Sequence, residues 1–390
     1  MSSNKTPYKG LHYIKSHQVI DNTISRIAQE RSGLQYGVKT RYAGLNRAML
    51  RWFRFGRVAM IAGMSGSGKS YLLNKLRQDF LAKETINFGK ADFYLGDEEK
   101  TLDLTLDMAG KYKVPRHKEY KHEGKLYLDS GLIKANNGNI IQQGRNSDCE
   151  HDVVLVHFGY EMDPEDEQIR TASDIMGKSY GYLMSSQWDY DLKDYNRLSD
   201  KQFDEVSGVL KSFANQQEYY VPFSGDVEQF KATVYRVAAD NPGKKLIITL
   251  DHTLLSKRLK ERSEAELQTN IALAIVELRQ TLNCFIIVLN QMNQGIESAE
   301  RINDPAGHYP QKKDIYLGGQ IWWACDIVMM MHRPIVLGIK KYGLHRLDTT
   351  HLIHLNIIKN RQGVLGDVFL REDFAHGRIQ YAQKEHFIAA

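Results

Sequence analysis

The sequence predicts an α/β fold built on a largely parallel sheet, and three observations predict it. A glycine-rich loop, GMSGSGKS, joins an apolar run to an amphipathic helical pattern. Further apolar runs of strand length recur down the chain, several of them separated by helical patterns, and strands alternating with helices build a mainly parallel sheet. Hydrophobic residues make up 42% and charged residues 25% of the 390 positions, a globular composition that can bury one large core or two ordinary ones.

The first 36 residues are polar except for HQVIDNTISRIAQER, in which Ile20, Ile24, Ile27 and Ala28 share one helical face. Residues 1–36 are therefore read as an arm carrying a docking helix, which packs on its own domain or on a neighbouring subunit. Residues 37–390 are read as one domain. Its first strand, 58–62, runs into Gly63, Gly68, Lys69 and Ser70, the fixed positions of Gly-x-x-x-x-Gly-Lys-Ser, with Ser65, Gly66 and Ser67 filling the turn. Glycines let successive backbone N–H groups approach a phosphate. The lysine reaches the β and γ phosphates, and the serine hydroxyl ligates Mg²⁺. Leu72, Leu76 and Phe80 then recur every four residues, marking a helix whose N-terminus faces the phosphates.

A polar stretch at about 84–150 interrupts the rhythm and reads as an insertion, either a partner-binding element or a solvated embellishment. In it, KHEGKLYLD and LIKANNGNIIQQ have the look of hairpins. Strand patterns resume at 153–158, 246–250, 284–289 and 327–331, followed by 352–358 and 364–370, which have no helix between them and predict an antiparallel hairpin. One helix opens on Pro164 among Asp163, Glu165 and Asp166. Another opens with Ser263 and Glu266 at capping-box spacing.

Three strand ends carry polar groups suited to nucleotide hydrolysis. Asp251 closes KKLIITLDH, where a carboxylate can hold a metal shell. Glu161 follows VVLVHFGY and can orient and deprotonate a water. Asn290 and Gln291 close CFIIVLNQ, where an amide can sense a γ phosphate. Taken singly, each also suits a plainer role: a strand-terminal acid, a helix-capping acid or the polar start of a loop.

Composition excludes several classes. Cys149, Cys284 and Cys325 are odd in number and widely spaced, so neither a disulfide framework nor a zinc site is expected. No apolar run reaches spanning length, and MSSNKTPYKG lacks a signal-peptide core. A cytoplasmic protein is expected. A net charge of +5 accommodates nucleic acid without requiring it.

In order and placement these features resemble the RecA-like motor domain of hexameric replicative DNA helicases, the DnaB and phage primase-helicase type. GVKTRYAGLNRAMLRWFRFGRVAMIAG resembles that family's lead into its first core strand, and GYEM its Ser-Leu-Glu-Met strand end. TLDH resembles its metal-binding strand end, LNQMN its glutamine sensor, and IIKNRQGVLGDV its Lys-x-Arg-x-Gly hairpin. The resemblance implies ATP and Mg²⁺, with Glu161 as base, Asp251 on the metal and Gln291 as sensor. It further implies that Lys359 and Arg361 reach a neighbour's γ phosphate in a homo-hexamer. Single-stranded DNA, and primase, loader or polymerase partners, follow from it, as does 5′-to-3′ polarity.

Two loops are the candidates for DNA contact. One holds Lys257 and Arg258 within SKRLKER; the other, 293–319, holds Arg301, Lys312, Lys313, Gly318 and Gly319. DIYLGGQIWWACD departs from the family's Asp-Leu-Arg-x-Ser-Gly, with Tyr316 in place of the arginine and Gly318 in place of the serine, so that DNA-contact arginine does not carry over. Two alternatives remain open from sequence: a RecA-like recombinase forming filaments, and a non-motor loader or scaffold.

Overall fold

The computed structural model describes residues 14–82, 146, 149–211, 213–214, 216–252, 261, 263–304, 307–317 and 319–388, with the backbone of short strands between 85 and 143. Nine strands form the central sheet: β1 (Val58–Gly63), β2 (Val153–Gly159), β3 (Glu218–Val221), β4 (Lys245–Asp251), β5 (Phe285–Gln291), β6 (Ile327–His332), β7 (Leu352–Asn360), β8 (Gly366–Asp373) and β9 (Arg378–Ala382). Their spatial order is β3-β2-β4-β5-β1-β6-β7-β8-β9. Every pairing from β3 to β6 is parallel, whereas β7, β8 and β9 run antiparallel to their neighbours. All seven expected strands are present, the last two as the expected hairpin.

Strand β1 is buried along its whole length, and alternation divides it between two layers. Val58, Met60 and Ala62 join one core and Ala59 and Ile61 the other. The principal helices are α1 (Ser16–Arg31), α2 (Lys69–Leu81), α3 (Pro164–Met176), α4 (Val227–Asp240), α5 (Glu264–Leu282) and α6 (Gly319–Ala324). Helix α2 packs its Leu72, Leu76 and Phe80 into the core that holds Ile61, while Leu267, Ile271, Ile275 and Leu278 of α5 enter the opposite one. Ser263 caps α5, its hydroxyl accepting from the Glu266 backbone at 3.2 Å.

The register decides where polar groups meet. Gln291 pairs with Gly63 and Asp251 with Gly159, so the carboxyl ends of β2, β4, β5 and β1 lie side by side. A ligand crevice is expected at that edge of an open parallel sheet.

Helix α1 exposes the side that carries Val19, Ile20, Ile24 and Ile27, each at least half accessible, and its last turn is tied to the domain through Glu30 and Arg54. In the insertion, Gly131–Asn136 and Asn139–Gln143 pair as the hairpin expected in LIKANNGNIIQQ. Lys125–Leu128 pairs with Gly131–Asn136 instead of folding within KHEGKLYLD, and KHEG lies outside the described residues. Among the described residues, no helix is long and apolar enough to cross a membrane.

Candidate active site

The phosphate-type loop turns tightly between β1 and α2. Gly66 and Gly68 have φ of 73° and 95°, a region that L side chains avoid. At Gly68 a Cβ would also stand 2.4 Å from the Phe374 ring. The Lys69 ammonium is buried and donates to the Gly63 and Met64 carbonyls at 2.9 and 2.8 Å, positions where phosphate oxygens would compete for it. Burial lowers its proton affinity, while Asp251 and Glu161 oppose that shift. Ser67 donates to the Met64 carbonyl at 2.8 Å, and Ser65 and Gly66 sit exposed at the tip.

Asp251 lies at the buried end of β4. Burial, with the charges of Glu161 and Glu167, pushes its carboxyl up to about 6, although the Ser70 hydroxyl within hydrogen-bonding reach opposes the shift. Among the described residues, its buried Oδ1 has no hydrogen-bond partner. An orphaned acceptor beside a serine hydroxyl fits a hard cation, and Mg²⁺ needs only one or two protein oxygens beside phosphates and waters. The Asp251 carbonyl accepts from the Tyr160 N–H at 2.9 Å, which holds the exposed Glu161 next to it. Gln291 faces His252 at 3.1 Å, and its carbonyl accepts from Tyr316 N–H at 2.9 Å. The strand end is thereby tied to the loop that follows it.

Two features beside the site have no local sequence pattern. Glu167 of α3 is buried against Arg77 of α2. Burial alone would raise its carboxyl, but Arg77 and a His157 hydrogen bond hold it at about 2. Burial and Arg77 also keep His157 below the usual histidine range. Its Nε2–H donates to Glu167 at 3.0 Å, leaving Nδ1 to accept from Thr249 at 2.8 Å. This network joins α2, α3, β2 and β4 behind Asp251. The second feature is an aromatic shelf against the loop. Phe374 lies 4.7 Å from Tyr71, and the Arg333 guanidinium stands 4.8 Å over Phe374.

Lys359 and Arg361 are elsewhere. Arg361 donates to Asp326 at 3.2 Å, and Arg279 and Arg57 reach the same carboxylate at 3.1 and 3.5 Å. Asp326 precedes β6 and accepts from Val58 N–H at 3.1 Å, which sets it at the amino end of β1. At about 3.3 Å per residue, β1 separates Val58 from the loop at Gly63 by about 16 Å. Lys359 donates to the Trp322 carbonyl at 2.6 Å. The structure therefore brings together the phosphate loop, Asp251, Glu161 and Gln291, and keeps Lys359 and Arg361 at the opposite edge.

Of the expected DNA-contact residues, Lys257, Arg258 and Gly318 lie outside the described residues. Lys312, Lys313 and Gly319 are exposed. Arg301 is committed internally: it reaches buried Asp314 at 2.6 Å and the Tyr309 carbonyl at 2.8 Å. That pairing makes it a brace of the loop instead of a free cation.

The model of the DnaB-like helicase C-terminal domain matches residues 144–380, more than half of the chain. The chain belongs to this family. Membership makes it an ATP-dependent replicative helicase, and the match begins after the phosphate loop and most of the insertion. Among solved structures, the ATPase domain of a phage helicase is similar with a TM-score of 0.61 at 14% identity, over 93% of this chain and 99% of that one. A DnaB-like replicative helicase, described together with its interactions with primase, gives the same TM-score and identity over 96% of this chain and 69% of that one. At that identity the two likenesses show the fold, a RecA-like sheet for this DnaB-like helicase. No curated protein matches the sequence.

Proposed function

We propose that this DnaB-like helicase works as a ring, each subunit's Arg361 and Lys359 completing the ATP site of its neighbour while the ring moves along single-stranded DNA. The observation that carries the reading is the separation of the two halves of the chemistry. The phosphate loop, Asp251, Glu161 and Gln291 share the carboxyl edge of the sheet, and the arginine is held at the other edge by Asp326. An arginine that cannot reach its own site contributes to hydrolysis only through another copy.

Within the site, Gly63, Ser65, Gly66, Ser67, Gly68, Lys69 and Ser70 hold the phosphates. Ser70 and Asp251 would hold Mg²⁺, which would supply neutralisation of the phosphate charge. Glu161 takes the proton of the attacking water, and Gln291 reports the γ phosphate to the loop that ends at Tyr316. Lys312 and Lys313 provide the phosphate contacts for DNA, and polarity is expected to be 5′ to 3′. Contact with a primase is a further expectation, as for the DnaB-like neighbour described with one.

Electron microscopy with an ATP analogue and single-stranded DNA tests the assembly. Closed rings are expected; filaments or monomers would overturn the reading. Lys312→Ala with Lys313→Ala tests the DNA contact: binding weakens for all sequences, and the salt slope becomes shallower by about 0.7 per lost contact. An unchanged slope moves the contact to other residues.

A further inference from the structure

The indole of Trp322 is approached by two lysines that the proposed function assigns to different tasks. Lys312 stands 4.9 Å from its ring and 5.3 Å from that of Trp323, and Lys359 stands 5.1 Å from the Trp322 ring. Lys359 is bound to the same residue a second time, through the Trp322 carbonyl at 2.6 Å. Trp322 is itself partly buried against the core, on the short helix α6 between the exposed loop and Asp326.

The other end of this arrangement is fastened to the sensor strand. Tyr316 donates its N–H to the Gln291 carbonyl, the Asn293 N–H reaches the Asp314 carbonyl at 2.7 Å, and the Asn293 amide donates to the Lys313 carbonyl at 2.7 Å. A continuous set of contacts thus runs from Gln291, through the loop bearing Lys312, to Trp322 and Lys359.

Resting on the ring reading above, we propose that Trp322 is a positioning residue that couples capture of a DNA phosphate by Lys312 to the placement of Lys359 at the neighbouring site. The physical basis is the sharing of one indole by two cations. Both ammonium groups are attracted to the same indole, and they repel each other. Burial and Arg361 hold the Lys359 ammonium below the ordinary lysine range, and Lys312 pushes in the same direction. A phosphate that pairs with Lys312 draws this cation off the ring and neutralises it. Lys359 is then left as the cation that the ring and the Trp322 carbonyl hold, in one orientation on its strand. Strand capture at one end of the loop is in this way read at the other as a better-defined lysine.

The test compares Trp322→Leu, which keeps the apolar packing and removes the π face, with Trp322→Phe, which keeps both. The readout is the ratio of ATPase at saturating oligo-dT to ATPase without DNA. Trp322→Leu should lower that ratio by about two- to thirty-fold, the span that a cation–π contact supports, while Trp322→Phe keeps most of it. Adding Lys312→Ala to Trp322→Leu should cost little more than either change alone. Equal behaviour of Leu and Phe, or a fully additive double variant, would assign Trp322 a purely structural role. If neither Trp322 variant folds, Lys312→Met decides: at saturating DNA it should lower the ratio more than Lys313→Met does, and equal ratios overturn the proposal. Should the lysine variants bind oligo-dT as tightly as the parent, the DNA-loop reading itself is wrong. Weakened binding with an unchanged ratio at saturation defeats only the coupling.

Discussion

The two edges of the central sheet differ in how far their charges are satisfied. At the carboxyl edge, among the described residues, Asp251 is buried with one oxygen unpartnered and Lys69 is held by carbonyls of its own loop. At the amino edge, buried Asp326 accepts from Arg57, Arg279, Arg361 and the Val58 N–H. Burying an acceptor without a partner costs about 1–3 kcal/mol, so the first edge is suited to a group that would complete it. The second is self-sufficient for folding, with the Arg361 side chain left 49% accessible. One edge presents groups suited to a ligand, and the other offers a cation that its own fold does not depend on.

The largest expected effect comes from breaking the amino edge's outward function. Arg361→Ala should lower assembly ATPase by about 10³–10⁵-fold, the usual worth of an arginine finger. Nucleotide binding by each subunit should persist, because the phosphate loop is untouched; equilibrium titration of a fluorescent ATP analogue checks this. Glu161→Gln attacks the other edge. It should retain ATP and lose turnover by about 10²–10⁴-fold, and near-normal hydrolysis would shift the base to another acid, Glu165 first.

The third perturbation separates stability from catalysis. Asp326→Asn removes the buried carboxylate that pairs with three partly exposed guanidinium groups and should destabilise the fold by about 1–3 kcal/mol in denaturant unfolding. Arg361→Ala should cost far less stability, since Arg57 and Arg279 remain on Asp326. Equal losses for the two variants would erase the distinction between a structural and an outward-facing cation.

The smallest effect is a pH dependence at the carboxyl edge. Asp251 is raised to about 6 when folded, so its contribution to apo stability is present at acid pH and fades as pH rises through that value. Metal binding runs the other way, because Mg²⁺ needs the carboxylate. Mg²⁺-dependent nucleotide affinity should therefore fall by about tenfold per pH unit below about 6, and Asp251→Asn should flatten the profile. A wild-type profile that is already flat across that range would remove Asp251 from the metal site.

Legibility in the sequence follows the same physics. Strands β1, β2, β4, β5 and β6 are buried on both faces, so each is written as a mainly apolar run, interrupted only by His157 in β2 and Thr249 in β4, and their polar ends stand out by contrast. The edge strands β3 and β9 are short and partly exposed, and EYYV and RIQYA carry no such signal. Helix α4 left one that goes unused: Asp226 and Gln229 form a reciprocal capping box at its start. The Glu167 network cannot be read locally, because Arg77, His157 and Glu218 meet it from other elements. Nor can the shelf, which brings Phe374 back to a loop at Gly68. Arg301 shows the reverse error. Composition marks it as a loop cation, and only the fold reveals Asp314 beside it.

Whether Arg361 serves a neighbour is tested most directly by mixing Arg361→Ala subunits with Glu161→Gln subunits and following ATPase across the ratio, with and without DNA. Each variant lacks what the other retains. A Glu161→Gln neighbour can offer its arginine to an Arg361→Ala subunit that still has its base, restoring a complete interface. Activity should rise at intermediate ratios above that of both parents, with its maximum near equal mixing. No recovery at any ratio in either condition, in assemblies verified to contain both variants, would contradict the account and remove Arg361 from the neighbour's active site.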